Sequence, residues 1–339
     1  MRRRGLPALA AALLLVVVVA GGAVRAHAAG RDPGSAGAAL PHVGTAQAVE
    51  SDDVGDPYVL PAPHGVAGDP AARYVLFWTT DWRSNVPTAV SSDLVHWHRV
   101  ADALPVLPTW ATPNKTMTWG PSATAVPGGY ALLFSTQDAA SGLECLGRAF
   151  STDPAGPYVD DSAAPLVCQP AQGGDIDPSV AHAGSGLALV WKNDGNARHQ
   201  PTYIWEQALS ADGSRVEGAA HRLLGVDAAW EHGIVEGPSV LRDSRGGWWL
   251  FFSGGAWQSN TYDTGVAHCL TLAGPCTDAS AGPILASSPG AISPGGLETF
   301  LDGSGRLWAS YSAFPSRPAS LRAAMAEDRV LEIAPLTGT

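Results

Sequence analysis

A short proline-marked segment recurs five times along this chain, and no other feature restricts its possible folds as strongly. The copies are Asp56-Pro57-Tyr58-Val59, Gly120-Pro121-Ser122-Ala123, Asp177-Pro178-Ser179-Val180, Gly237-Pro238-Ser239-Val240 and, less regularly, Ser293-Pro294-Gly295-Gly296. Their prolines are 64, 57, 60 and 56 residues apart. Self-similarity at a near-constant period signals a repeat architecture, in which units bury apolar faces against one another. Behind each copy come a turn and an aromatic-rich strand candidate, at 74–80, 130–136, 187–192, 248–253 and 307–312. A third candidate closes most units, at 88–92, 147–151, 203–210, 265–270 and 320–326. Short runs bounded by turn residues, with no long 3.6-residue period, read as all-β. Three or four strands repeating at this period predict a five-bladed β-propeller rather than a sandwich, which would show no such recurrence.

The N-terminus reads as an export signal. Arg2, Arg3 and Arg4 precede an apolar run at 6–20, and Ala26-His27-Ala28 offers the small-x-small pattern of a cleavage site. The run is shorter than the roughly 20 residues a membrane span needs, and Gly21-Gly22 interrupts it. A signal peptide is therefore expected at 1–28, an Ala- and Gly-rich disordered leader at 29–51, and a single propeller domain at 52–339. The expected localisation is secreted and extracellular. Net charge is −11, and residues 1–28 hold four arginines and no acid, so cleavage would take it to about −15. Such a surface repels phosphate backbones and anionic lipid, which argues against nucleic-acid and membrane partners and leaves a monomer as the expectation.

Four cysteines in an exported chain predict two disulfides, with three possible pairings. Cys145 with Cys168 and Cys269 with Cys276 would each close a local loop within one repeat, and their spacings do not resemble a zinc site. The twelve tryptophans exceed what most cores use. Some can stack on sugar rings, although blade packing is the commoner use of any single one.

The proline-marked segments also carry chemistry. The innermost strand of a propeller blade lines the central channel, so residues at the starts of those strands surround one point. Those positions hold Asp56, Trp119-Gly120, Asp177, Glu236 and, in the fifth unit, glycine. Any one of these acids is an ordinary turn residue. Three in register point to a shared site, and glycoside hydrolysis needs one carboxylic acid at the leaving oxygen and one carboxylate opposite it. A third carboxylate nearby raises the proton affinity of the acid by like-charge repulsion.

Asp56-Pro57, Ile176-Asp177-Pro178, Glu236-Gly237-Pro238 and Ser91-Ser92-Asp93-Leu94-Val95-His96-Trp97, with Phe252-Ser253-Gly254 and Thr264-Gly265-Val266-Ala267, resemble glycoside hydrolase family 43, whose members are five-bladed propellers. The resemblance covers nearly all of the chain after residue 52. It implies Asp56 as general base, Glu236 as general acid and Asp177 as the residue that tunes and orients Glu236, with inversion at the anomeric carbon. The sequence departs from the family where Trp119-Gly120-Pro121-Ser122 replaces a Trp-Ala-Pro-Asp stretch, and where Gly295-Gly296 replaces a Gly-His segment. That histidine accompanies a channel ion in some members, so an axial calcium is not expected and no cofactor is required.

Asp175 is the rival third acid, since side chains two apart in an extended strand share a face. Trp78, Trp82, Trp119 and Trp257 are candidate sugar platforms, while His98, His232 and His268 show no metal-ligand spacing. The carbohydrate partner implied is an arabinose- or xylose-containing plant polysaccharide or oligosaccharide. The lack of a C-terminal β-sandwich tilts the expectation toward arabinan or arabinose side chains. Two alternatives stand: a non-catalytic carbohydrate-binding propeller, and a retaining fructosidase-type propeller, whose Trp-Met-Asn-Asp-Pro-Asn and Glu-Cys-Pro motifs this chain lacks.

Overall fold

A strand that is apolar along its whole length must bury both faces, and a ring of stacked blades provides a neighbour on each side. The computed structural model describes residues 39–339 apart from 51–52, 115, 185 and 325–326; the expected signal peptide at 1–28 and the first part of the leader lie outside the described residues. Five antiparallel sheets form the five-bladed propeller. Blade 1 holds Tyr58–Pro61, Tyr74–Phe77, Thr88–Ser91 and Trp97–Arg99; blade 2 holds Thr118–Val126, Gly129–Gln137 and Glu144–Ser151. Blade 3 holds Asp175–Ala183, Gly186–Asn193, Tyr203–Leu209 and Val216–Gly225; blade 4 holds Val235–Arg242, Trp248–Gly254, Asp263–Cys269 and Cys276–Asp278. Blade 5 holds Ile292–Leu301, Leu307–Phe314 and Val330–Thr337. Each innermost strand contacts the innermost strand of the next blade, and that of blade 5 returns to blade 1.

The second strands show why apolar runs were required. Successive side chains point to opposite faces, so Val75 and Phe77 join Leu132 and Phe134 of blade 2, while Leu76 and Trp78 join Phe300 and Ile333 of blade 5. Leu133 packs with Leu189 and Trp191 of blade 3, whose Val190 packs in turn with Leu250 and Phe252 of blade 4. Trp249 and Phe251 then face Ala309 and Tyr311 of blade 5. The hydrophobic interior is thus divided among the interfaces between blades. Burying one such side chain is worth roughly 1.5–3 kcal/mol.

Three expectations need correction. Residues 42–43 and 47–50, placed in the leader, are strands: His42–Val43 and Gln47–Glu50 both pair with Val330–Thr337. Val43 enters the core between blades 4 and 5, and Val49 packs on the core between blades 5 and 1. The N-terminal segment thereby supplies the outer strands of the last blade, a role invisible in an Ala-Gly-rich stretch whose partner lies at the other end of the chain. The strand placed at 320–326 is instead a helical turn, Leu321–Ala324, with Ser320 Oγ accepting from Ala323 N at 3.1 Å. The third strand of blade 5 comes later, where Leu331 and Ile333 face blade 1 and Ala334 and Leu336 face blade 4. The fifth repeat is also out of step: its innermost strand turns twice, at Ser293 beside Pro294 and again at Gly296, with a slip of the ladder at each. Both expected disulfides are present, Cys145–Cys168 and Cys269–Cys276, the latter joining directly opposed residues of one hairpin.

Candidate active site

Each innermost strand bends at the axis through a residue with left-handed backbone. Asp56, Gly120, Asp177, Gly237 and Gly296 have φ of 50°, 52°, 56°, 56° and 63°. In blades 2 to 5 the ladder slips at the bend, between Trp119 and Ser122, Ile176 and Ser179, Glu236 and Ser239, and Gly295 and Glu298. Proline follows the bend at 57, 121, 178 and 238 because a bulge leaves a backbone position without a ladder partner. In blade 5 the left-handed Ser293 does precede Pro294, but the bend that reaches the axis is the second one, at Gly296, which is followed by Leu297. Aspartate is among the few residues other than glycine that enter this region readily. Asp56 and Asp177 occupy equivalent positions two blades apart, and Glu236 stands one residue before its own bend.

The bends bring these three acids to one pocket of about 550 Å³, lined also by Lys192, Tyr262, Trp257 and Arg329. Asp56 Oδ2 accepts from Thr79 Oγ1 at 2.6 Å, and Thr79 Oγ1 accepts from Gly120 N at 3.1 Å, which ties blade 1 to blade 2. Asp177 N donates to Ser135 Oγ at 3.1 Å, and Asp177 Oδ2 accepts from Gly237 N at 3.0 Å. Glu236 Oε2 accepts from the buried Lys192 Nζ at 3.0 Å. Arg329 Nε binds Asp53 Oδ1 at 3.0 Å, and its guanidinium lies 4.7 Å over the Trp257 ring.

Crowding carboxylates in a recess raises their proton affinity. Burial, then the Glu236 charge, push Asp177 up to about 8, with Lys192 opposing. Burial also lifts Asp56 above the ordinary carboxylate range, against the pull of Arg329 and the Thr79 hydrogen bond. Burial and the three acids hold Tyr262 in its phenol form. Two glycines of blade 5 make room for this group. A Cβ on Gly295 would collide with the Tyr262 ring, and one on Gly296 would lie 3.1 Å from Asp56 Oδ1.

Among the sugar-platform candidates, Trp119 and Trp257 line the pocket. Trp78 does not: it is wholly buried between blades 1 and 5, because the alternation of its strand turns it to the core. Trp82, also on the pocket wall, is 71% exposed. Asp175 is likewise corrected. It is fully buried in the blade, where its carboxyl accepts from Trp191 Nε1 at 2.8 Å and Gln169 N at 2.6 Å. The left-handed backbone at Asp177 breaks the period of two, so the two aspartates part company. Sequence reasoning missed Lys192, Tyr262 and Arg329; a lysine ending an otherwise apolar strand was the one visible signal.

At the axis a small cavity of about 20 Å³ is lined by Asp56, Asp177 and Glu298 among the bend residues, and Glu298 Oε2 accepts from Ser179 Oγ at 3.2 Å. Burial pushes Glu298 up to about 8, against its hydrogen bonds from Ser239, Ser179 and the Thr299 backbone. Away from the pocket, Asp227, Glu231 and Asp278 bring oxygens within 4.8 Å of one another, a grouping common among acids without an ion.

The family profile "Glycosyl hydrolases family 43" matches residues 60–336. No curated protein matches the sequence significantly. Among solved structures, the chain is similar to a thermostable family-43 glycoside hydrolase, with 21% identity over 87% of this chain and 90% of that one, and a TM-score of 0.69. An endo-1,4-beta-xylanase from Bacteroides thetaiotaomicron aligns at 22% identity over 86% and 97%, with a TM-score of 0.67. An alpha-L-arabinofuranosidase from Lactobacillus brevis aligns at 16% over 85% and 91%, also at 0.67. Identities this low establish the fold alone, but the profile spans most of the chain, and on that ground the protein belongs to glycosyl hydrolases family 43 and is a glycosidase.

Proposed function

We propose that the protein is an exported, inverting glycosidase that hydrolyses arabinose- or xylose-containing plant polysaccharides or oligosaccharides. Asp56 serves as general base, Glu236 as general acid, and Asp177 tunes Glu236. The observation that carries this reading is the meeting of three carboxyls from three blades at one pocket. Water enters on the Asp56 side, gives Asp56 its proton and bonds to the anomeric carbon as the glycosidic bond breaks. The leaving oxygen takes the proton of Glu236. Inversion requires the two carboxyls to stand about 6.5–9.5 Å apart so that water fits, and residues on opposite sides of a channel suit that gap. A retaining pair would stand closer, at about 5–5.5 Å.

The sugar class is supported by related structures whose names include an arabinofuranosidase, an endo-arabinase and a xylanase. Export is supported by the two disulfides and the N-terminal sequence. Among the described residues, no helix is long and apolar enough to cross a membrane. The decisive test is hydrolysis of nitrophenyl α-L-arabinofuranoside and β-D-xyloside, with product anomers followed by NMR. Release of sugar with inverted configuration is expected. Cleavage of neither, with sugar binding intact, would make the protein a binding module, and retention would reassign Asp56. Asp56→Ala should abolish turnover on every substrate. Glu236→Ala should impair oligosaccharides far more than nitrophenyl glycosides, whose phenolate leaves with little protonation.

A further inference from the structure

Where each second strand meets the axial bend, one position repeats around the ring. It holds Thr79, Ser135, Ser253 and Ser312 in blades 1, 2, 4 and 5, opposite Gly55, Trp119, Glu236 and Gly295. Three of these hydroxyls, on Thr79, Ser135 and Ser253, accept the bend N–H of the following blade. Blade 3 breaks the pattern with Lys192, opposite Ile176. Two consequences follow from that one exchange. Gly237 N, deprived of a hydroxyl, donates to Asp177 Oδ2 at 3.0 Å. The ammonium, 1% exposed, lies 3.0 Å from Glu236 Oε2 and 3.5 Å from Asp194 Oδ1.

An ammonium bonded to a carboxylate favours its ionised form. A general acid, however, needs its proton. We propose that Lys192 is a positioning residue that decides which carboxyl holds the mobile proton of the pocket: its ammonium, bonded to Glu236, favours the proton on Asp177 while the pocket is empty, and Asp194 gives the ammonium a second anchor when Glu236 takes that proton for the leaving oxygen. The proposal rests on the reading of Glu236 as the acid.

The charges around Glu236 are consistent with this division. Asp56, Asp177 and Tyr262 face it from blades 1, 3 and 4, with Lys192 backed by Asp194, and Arg329 with Asp53 lies beyond Asp56. Burial alone would depress the Lys192 ammonium, but Glu236, Asp177 and Asp194 override it and raise it above its ordinary value. In turnover the Asp177 proton passes to Glu236, directly or through a water, and from Glu236 to the leaving oxygen. Asp56 ends with the proton from water, and exchange with solvent resets the three acids.

The test is the pH profile of kcat/KM on arabino- and xylo-oligosaccharides, whose poor leaving groups need the acid. Lys192→Ser restores the hydroxyl found in the other blades and is suited to fold. Its alkaline limb should move up by about one pH unit, the lower end of the effect of a neighbouring opposite charge. Asp194→Asn removes an anion from the same ammonium, so its limb should move down. Folded variants with unmoved limbs, or a downward move in Lys192→Ser, would overturn the proposal. If Lys192→Ser does not fold, Asp194→Asn decides alone, and an upward or absent shift sinks it. Failure of the underlying reading looks different: Glu236→Ala would then cleave oligosaccharides as well as the parent protein does.

Discussion

Thr79 offers the sharpest test of Asp56, because one hydroxyl serves both the proposed base and the backbone of the next blade. Its Oγ1 donates to Asp56 Oδ2 at 2.6 Å, a length typical of a bond to a charged oxygen, and accepts from Gly120 N at 3.1 Å. Thr79→Val keeps the shape and removes both bonds. A hydrogen bond to an ionised group is worth about 1.5–3 kcal/mol, and one pH unit corresponds to about 1.36 kcal/mol. Asp56 faces the pocket and retains Arg329 nearby, so the lower end applies: its proton affinity should rise by about one pH unit. The donor favoured the charged form, and a base works only when ionised. The acidic limb of kcat/KM should therefore move to higher pH by about one unit, with the alkaline limb in place. Gly120 N is left without its acceptor, at a cost of about 1–3 kcal/mol, so the variant should also melt several degrees earlier. Thr79→Ser should restore both properties. The reasoning fails if folded Thr79→Val keeps its acidic limb, or if Thr79→Ser is displaced as far as Thr79→Val.

Asp177→Asn removes the partner that shares a proton with Glu236, which leaves that proton beside Lys192 with no second anion to hold it; the alkaline limb should fall, and a rise would contradict the coupling. Trp82→Ala should raise KM on the order of ten-fold with kcat little changed, from roughly 1.4 kcal/mol for covering part of an indole face; an unchanged KM on every oligosaccharide would remove Trp82 from the binding surface. Glu144 is buried with neither oxygen bonded, and burial, with Asp194, pushes it up to about 8 from 4.5. The unfolded chain ionises first, so this side chain's contribution to stability is complete below pH 4.5 and is lost as pH rises toward 8. Glu144→Gln should thus gain on the parent protein between pH 5 and pH 8, by at most about 4 kcal/mol, in urea midpoints taken at both values; equal losses in the two proteins would refute this.

Much of the architecture could be read from local patterns. Proline-marked bends followed by apolar runs specify blades because every blade must do the same two things, bend at the axis and then bury two faces. The disulfide pairs were legible for the same reason, since each closes a short loop. Asp56, Asp177 and Glu236 could be brought together on paper because a repeat fixes equivalent places around an axis. What depended on non-local geometry was not legible. The strands at 42–43 and 47–50 have meaning only beside Val330–Thr337, nearly a whole chain length away. Trp78 and Trp257 look alike in sequence, yet one fills a core and the other faces the pocket. Asp175 was separated from Asp177 by a left-handed backbone that strand periodicity does not foresee. The cations beside the acids come from Lys192 on the second strand of blade 3 and Arg329 just before the last strand, and only closure of the ring sets an ammonium against Glu236. Local sequence specified strands and bends because those are decided by neighbours in the chain; the charge state of the pocket was decided by neighbours in space.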